Sequence, residues 1–393
     1  WNGIAIDSTC GGHGTCKKCK VQILSGDVAI SRLDFRALTP EQLKDGWRLA
    51  CLAPATMDLE VEVPPLTTRP KAATVGVGRQ VILRPAVQKR HLQLEEPTLH
   101  DQRTDIERVR DAIDDLEISV EAPVLSAMSK TLRSAFWDVT AIIVDDALIG
   151  VEPGDTTGIS YGIAFDLGTT TVVATLMDLT TGTPVAVRSM LNKQQPFGAD
   201  VISRISATML DPDGLPRLQE LAQATLAELT AEVCDEGGVD PAQVYEVALA
   251  GNATMVQLLL GIDPEPLGVA PFILATRNYP GLKATDFGLT IHPQARAIVL
   301  PALGAYVGGD IVAGALASGM DRDKRLRVFI DVGTNCEIVI ADGERIMSTA
   351  APAGPAFEAA SIRNGMRAAP GAIETVSIKE TGMEIGVIGD VSP

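Results

Sequence analysis

An internal duplication places the strongest constraint on the fold of this chain. The segment YGIAFDLGTTTVVATLMDL reads as an apolar strand that carries Asp166 near its end, a Gly-Thr-Thr turn and a second apolar strand. The same order returns in RVFIDVGTNCEIVIADG, where Asp331 takes the place of Asp166. Aspartate and glycine are common in the turns of single hairpins, but two matched copies indicate a duplicated fold whose copies face each other.

Each copy has the chemistry of a phosphate-binding turn. A glycine lets the backbone approach an anion closely, and threonine hydroxyls and backbone N–H groups can hold phosphate oxygens. The aspartate is suited to hold Mg²⁺ or to orient a water molecule beside the transferred group. The candidate catalytic residues are therefore Asp166 and Asp331. The candidate nucleotide-binding residues in the two turns are Gly168, Thr169, Thr170, Gly333, Thr334 and Asn335.

A second constraint is the group of cysteines in STCGGHGTCKKCK, followed by one more in GWRLACLAP. Disulfides, a structural zinc and an iron-sulfur cluster are the alternatives. Disulfides suit small, cysteine-dense secreted domains, and zinc sites usually take two close cysteine pairs, whereas this chain has one C-x-x-C. A loop with three cysteines and a distant fourth is the layout of a plant-type [2Fe-2S] ferredoxin. The candidate ligands are Cys10, Cys16, Cys19 and Cys51.

The cysteine loop also resembles a known family. The string STCGGHGTCKKCKVQILSG, together with RLACLA, is similar to the cluster loop of [2Fe-2S] ferredoxins, with the wider first gap of the adrenodoxin-like variant. Such domains usually have a strand hairpin and a helix before this loop, and Trp1 lies only a few residues ahead of it. We therefore expect a β-grasp ferredoxin-like domain over residues 1–66 that is N-terminally incomplete.

Charge and hydropathy exclude some classes of partner. The net charge of -17 would repel a phosphate backbone, so we expect no nucleic-acid partner. Apolar runs stay below the roughly eighteen residues that a membrane span needs, so we expect no membrane association. Thiolate-bound clusters are assembled inside cells, which favours a cytoplasmic location.

Composition and periodicity divide the rest of the chain. Residues 67–97 mix proline, glycine and basic residues, which predicts a linker. Residues 98–157 predict a small mixed α/β domain, with helices in TDIERVRDAIDDL and APVLSAMSKTLRSA and a strand pair that turns at the two aspartates of WDVTAIIVDDALIGVEPG. In VYEVALAGNATMVQLLLGI a strand leads to a helix, and Asn252 either caps that helix or faces a cleft.

The duplicated hairpins resemble the phosphate motifs of the superfamily of actin, sugar kinases, acetate kinases and large heat-shock chaperones, abbreviated ASKHA. The resemblance implies a duplicated ribonuclease-H-like domain over residues 158–393 with ATP in its cleft. It also implies that VGGDIVAGALASGMD is the first connecting helix and that Gly354 and Glu358 lie near the phosphates. The family's adenosine motif and second connecting helix would follow Pro393, so we expect this domain to be C-terminally incomplete.

The chain is thus expected to be a multidomain protein of α/β and α+β class. The order of its domains resembles that of the reductive activators of corrinoid-dependent methyltransferases. The strings NKQQPFGADVISRI, AGNATMVQLLLGI and GPAFEAASIRNGMRAAPGAIETV carry this resemblance, while Cys336 stands where that family commonly has glycine. It implies ATP-dependent transfer of one electron to the cobalt(II) of a partner corrinoid protein. The implied cofactors are a [2Fe-2S] cluster, ATP and Mg²⁺; the upstream electron donor is not identified, and a homodimer is compatible with this interpretation.

Two other functions remain as alternatives. In the first, the chain is a non-enzymatic, ferredoxin-type electron carrier with an ATPase-like docking scaffold. In the second, it is a small-molecule kinase that carries a redox domain.

Overall fold

The computed structural model describes residues 6, 19–64, 83–198, 200–333, 335–352, 371, 373–379 and 382–387. For Asn335 it describes the backbone alone. None of the helices in these ranges is long and apolar enough to cross a lipid bilayer. The predictions that lie outside the described residues concern Cys10, Cys16, Thr334, Gly354 and Glu358.

The first unit contains a small sheet in the order β2-β1-β3, and β1 pairs antiparallel with both neighbours. The string KVQIL, which follows the cysteine loop, forms most of β1. A capping box between Thr39 and Gln42 starts α2, and the buried Asp34 carboxylate accepts from the Leu49 N–H at 2.8 Å, which ties α1 to β2. The elements are β1 (Lys20–Ser25), α1 (Asp34–Ala37), α2 (Pro40–Lys44), β2 (Trp47–Leu49) and β3 (Glu60–Glu62).

The second unit packs two helices on a sheet in the order β4-β6-β7-β5. Both predicted helices and the strand pair that turns at Asp145 are confirmed. The elements are β4 (Val87–Gln93), α3 (Asp105–Ala112), β5 (Ser119–Val120), α4 (Ala122–Ser134), β6 (Asp138–Val144) and β7 (Ala147–Pro153).

The linker predicted for residues 67–97 differs from the structure at its C-terminal end. Strand β4 pairs with β6 along its whole length and buries Val87 and Leu92. Val87 and Leu92 are five positions apart and so project from opposite faces of the strand. Each joins a different core, Val87 with Ile142 and Leu92 with Val139, so both faces of the strand are covered even though the overall composition of the segment is basic.

The third unit is built on a mixed sheet in the order β10-β9-β8-β11-β12. Strands β8 to β10 are antiparallel neighbours, whereas β11 runs parallel to β8 and β12. Asn252 caps α7, since its side-chain oxygen accepts from the Thr254 N–H at 2.9 Å, which confirms the capping interpretation. The elements are β8 (Tyr161–Leu167), β9 (Thr171–Asp178), β10 (Thr183–Leu191), α5 (Val201–Leu210), α6 (Gly214–Gly237), β11 (Val244–Gly251), α7 (Ala253–Leu259), α8 (Glu265–Gly268), β12 (Arg296–Val299) and α9 (Gly309–Ser318).

Three strands that follow α9 repeat the start of the third unit. β13, β14 and β15 form an antiparallel sheet in chain order, as β8, β9 and β10 do, so the duplication is present in the fold as well as in the sequence. Val339 and Ala341 on β14 are buried with Ile311 of α9. The elements are β13 (Arg327–Val332), β14 (Asn335–Ala341), β15 (Ile346–Pro352), β16 (Ile373–Lys379) and β17 (Gly382–Val387).

A buried polar cluster joins the second unit to the third. The Lys89 ammonium donates to Glu152 at 2.7 Å, and the Tyr245 hydroxyl donates to the same carboxylate at 2.6 Å. Tyr245 is fully buried and packs against Val87 and Ile142. Because each polar atom at this junction has a partner, the contact is specific to one arrangement of the two units.

Candidate functional site

Strand pairing brings two of the predicted cluster ligands together. Cys19 directly precedes β1, and Cys51 lies in a short helical turn directly after β2. β1 and β2 pair with Lys20 opposite Leu49, and the Ala50 N–H donates to the Cys19 carbonyl at 2.7 Å. The two sulfur atoms therefore lie 3.2 Å apart, which is longer than a disulfide bond of about 2.05 Å.

The sulfur pair fits one side of a metal–thiolate site. Cys19 is buried and Cys51 is partly exposed, and thiolates that converge in this way are the donor set of iron-sulfur and zinc centres. Cys234, in contrast, lies on the buried side of α6, and burial raises the pKa of its thiol to about 11. A thiol with so high a pKa is unreactive at neutral pH, as expected for a packing residue.

The first predicted phosphate turn joins β8 to β9. Asp166 is the penultimate residue of β8, and Gly168, Thr169 and Thr170 form the turn, where all three are partly exposed. The turn is too tight for a side chain at position 168, because a Cβ there would lie 2.4 Å from the carbonyl oxygen of Thr171. Glycine at this position is thus required by the close approach of the backbone.

The second turn adds carboxylates that the motif itself does not contain. Asp331 in β13 pairs directly with Glu337 in β14, and such partners project from the same face of a sheet. Gly333 lies in the turn between them. Asp310 comes from the first turn of α9, which begins against the end of β11: a Cβ on Gly308 would lie 2.5 Å from the last carbonyl oxygen of that strand.

The four carboxylates form one group whose members repel one another, and the space between them is called the cleft below. Burial, together with repulsion from Asp310 and Asp331, raises the pKa of Asp166 to about 6. Burial and repulsion from the same two residues raise the pKa of Glu337 to about 7. Burial is also the main reason why the pKa values of Asp310 and Asp331 are raised. Asp166 is still open to water on one side, so a ligand in the cleft can reach it.

The cleft suits a hydrated cation together with an anionic ligand. Mg²⁺ prefers oxygen ligands and usually keeps several of its waters. Among the residues that the structure describes, no three acidic, histidine or cysteine side chains are close enough to bind one metal ion directly. A cation here would therefore complete its coordination with water and with ligand oxygens.

Sequence reasoning missed Asp310 and Glu337 because neither belongs to the repeated motif. The hairpin register could have identified Glu337, since a three-residue turn centred on position 334 places it opposite Asp331. The sequence indicated Asp310 more weakly, because the only hint was its position after two glycines at the start of a helix.

Family models match the chain region by region. The matches are, in order, the 2Fe-2S iron-sulfur cluster binding domain over residues 2–56, the RACo linker region over 76–158, the RACo middle region over 161–323, and the C-terminal domain of RACo, its ASKHA domain, over 325–393.

Individual relatives agree with these matches. The corrinoid activation enzyme RamQ of Eubacterium limosum is 31% identical over 393 residues, which is 100% of this chain and 63% of RamQ. The [Co(II) methylated amine-specific corrinoid protein] reductase of Methanosarcina barkeri is 27% identical over 225 residues, or 54% of this chain and 40% of that protein.

A solved structure described as a reductive activator for a corrinoid, iron-sulfur protein has a TM-score of 0.74 and 33% identity, and the match covers 99% of this chain and 65% of the other. The chain thus spans slightly less than two thirds of the length of RamQ and of this structure. The matches confirm the expected fold classes, a [2Fe-2S] ferredoxin-like domain followed by an ASKHA domain. The consecutive matches to the linker, middle and C-terminal regions of RACo make residues 76–158, 161–323 and 325–393 of this chain similar to that family.

Proposed function

We propose that this protein is an ATP-dependent reductive activator of a corrinoid protein, which passes one electron to cobalt(II) and restores cobalt(I). One observation carries the proposal: a chain that matches a 2Fe-2S domain also forms a carboxylate-lined cleft between two hairpins of phosphate-binding type. RamQ is a corrinoid activation enzyme, the protein from Methanosarcina barkeri is a corrinoid protein reductase, and the solved structure is a reductive activator, which together support a corrinoid protein as the substrate.

In this proposal the ferredoxin-like unit holds a [2Fe-2S] cluster, which supplies the single electron. The pairing of β1 with β2 holds Cys19 and Cys51 near each other, and Asp34 fixes the backbone two residues ahead of Cys51 through a hydrogen bond of 2.8 Å. These backbone contacts hold the Cys19 and Cys51 thiolates in position for the cluster. The four proposed ligands are Cys10, Cys16, Cys19 and Cys51.

The cleft binds ATP with Mg²⁺ in the same proposal. Asp166 and Asp331 orient the hydrated cation or the attacking water, and the cation relieves the repulsion among the carboxylates, so nucleotide binding favours a closed cleft. The groups that hold the phosphates come from Gly168, Thr169 and Thr170 on one side and from Gly333, Thr334 and Asn335 on the other, and Gly354 and Glu358 lie near the phosphates.

ATP has a thermodynamic role in this scheme. Plant-type clusters have potentials of about −400 mV, and an acceptor that lies about 100 mV lower requires about 2.3 kcal/mol for one electron. ATP offsets this requirement if the open and closed clefts bind the corrinoid protein with different affinities. A cytoplasmic location and a homodimer are compatible with the same scheme.

The proposal is tested with purified full-length protein, reduced and mixed with a corrinoid protein in the cobalt(II) state. We expect cobalt(I) absorbance to appear only with both ATP and reduced activator, and the corrinoid protein to stimulate ATP hydrolysis. An Asp331→Asn variant should keep the paramagnetic resonance signal of the cluster and lose the ATP-dependent reduction. Electron transfer that does not depend on ATP would support the non-enzymatic electron carrier. Phosphorylation of a small molecule would support the small-molecule kinase.

A further inference from the structure

A group of buried polar side chains lies behind the first phosphate turn. Asn192, Gln194 and Arg204 are each at most 1% exposed. They come from the segment between β10 and the first half of α5, and neither the predicted nucleotide contacts nor the carboxylate cluster uses them. Burying such groups is costly unless their hydrogen bonds are satisfied, so the partners of this group show what it holds in place.

Those partners are consecutive carbonyl oxygens of the turn. The Asn192 side-chain amide donates to the Gly168 carbonyl at 2.9 Å. The Arg204 guanidinium donates to the Thr169 carbonyl at 2.5 Å, and the Asn192 backbone N–H donates to the Thr170 carbonyl at 2.9 Å. The turn is therefore held from one side at each of its three residues.

Holding the carbonyl groups also sets the direction of the backbone donors. In a trans peptide the C=O and N–H groups point to opposite sides of the chain. Because the carbonyls of Gly168 and Thr169 point toward Asn192 and Arg204, the N–H groups of Thr169 and Thr170 point the other way. Successive N–H groups that share a direction form a binding site for anions.

Arg204 brings a positive charge as well as hydrogen bonds. It also donates to the Gly198 carbonyl at 3.1 Å, to the Gln194 side-chain oxygen at 2.9 Å and to the Met255 sulfur at 3.0 Å. No carboxylate within the described ranges forms an ion pair with it, and Asp200 attracts it only from a greater distance; burial lowers its pKa to about 9, so it stays protonated at neutral pH. A buried charge whose counter-ion is not in contact is unfavourable, and an anion on the far side of the turn would compensate it further.

We propose that Arg204 is a positioning residue for the nucleotide: it holds the Thr169 carbonyl so that the turn presents its N–H groups to the phosphates, and its charge is balanced by them. This inference rests on the proposed ATP site. Arg204 touches no phosphate itself, since a peptide group lies between them.

The test compares three variants of the full-length protein by calorimetric titration with Mg·ATP. Arg204→Met keeps the length of the side chain but removes the charge and the donors, and we expect it to weaken ATP binding at least tenfold, which corresponds to about 1.4 kcal/mol. Arg204→Lys keeps the charge and loses the fork of donors, so it should restore part of the affinity. The matched control is Arg108→Met, because Arg108 is 3% exposed and bonds to Asp101 in the second unit.

Arg108→Met should reduce thermal stability and leave the affinity for ATP within twofold of the wild type. Wild-type affinity in Arg204→Met would overturn the inference, as would equal losses of affinity in Arg204→Met and Arg108→Met. Should Arg204→Met not fold, Arg204→Lys decides alone: a loss of threefold or more supports the inference, and a smaller loss overturns it. A wild-type protein that binds no ATP would instead overturn the proposed function together with this inference.

Discussion

The substitution Glu337→Gln tests whether the carboxylates share one cleft. Glu337 is 9% exposed, and burial together with repulsion from Asp310 and Asp331 raises its pKa from 4.5 to about 7. The folded protein therefore holds this proton more tightly than the unfolded chain does. Ionisation of Glu337 destabilises the fold progressively as pH rises from about 4.5 to 7, and the cost is complete above that window. The glutamine variant lacks this cost.

The magnitude follows from the size of the shift. A change of one pKa unit corresponds to 1.36 kcal/mol, so a shift from 4.5 to about 7 sets an upper limit of about 3 kcal/mol. Water in the open cleft screens part of the repulsion, and we expect a stabilisation of about 1 to 2 kcal/mol in Glu337→Gln at pH 8. At pH 4.5 the variant and the wild type should differ by less than about 0.5 kcal/mol, because the carboxyl group is then largely protonated in the folded wild type.

Hydrogen exchange of the amides in β13 and β14 is the appropriate assay, since it reports the local free energy of opening in a chain of several units. Glu344→Gln, at the exposed turn between β14 and β15, is the control and should show no such pH dependence. Added Mg²⁺ should reduce the advantage of Glu337→Gln because the cation neutralises the same repulsion. An advantage that does not change with pH, or a variant that is less stable at pH 8, would refute the reasoning.

Three further predictions concern other parts of the molecule. Cys51→Ser should change the visible absorption and paramagnetic resonance spectra of the reduced protein, whereas Cys234→Ser should leave both unchanged. Gly308→Ala should destabilise the protein by about 1 to 3 kcal/mol in urea unfolding, because its Cβ would lie 2.5 Å from a backbone oxygen, while Gly304→Ala, with no atom within 4 Å, should be neutral. Tyr245→Phe should cost about 1 kcal/mol in the same assay, because the partly buried Glu152 loses a hydrogen-bond donor; an unchanged midpoint would contradict the role given to this junction.

Local patterns in the sequence were sufficient to predict much of the fold. The strands around Asp166 and Asp331 are confirmed, because apolar runs interrupted by a glycine turn specify a hairpin over a few residues. The capping box at Thr104 and the cap at Asn252 are equally local, since each satisfies backbone groups within three residues. The exception is β4, whose pairing with β6 depends on a partner far along the chain.

The candidate site was likewise predicted only in part from the sequence. Spacing alone singled out Cys19 and Cys51 and the aspartates of the repeat, whereas Asp310, Glu337 and Arg204 became functional candidates only when the tertiary structure placed them. All three residues lie in strings that the sequence analysis singled out, but the strings assign no role to any of them. Their roles depend on what the fold brings beside them: like charges around Asp310 and Glu337, and backbone carbonyls around Arg204. Desolvation and repulsion act between neighbours in space rather than in sequence, and that is why the sequence determined the motifs while the fold alone decided the electrostatics of the cleft.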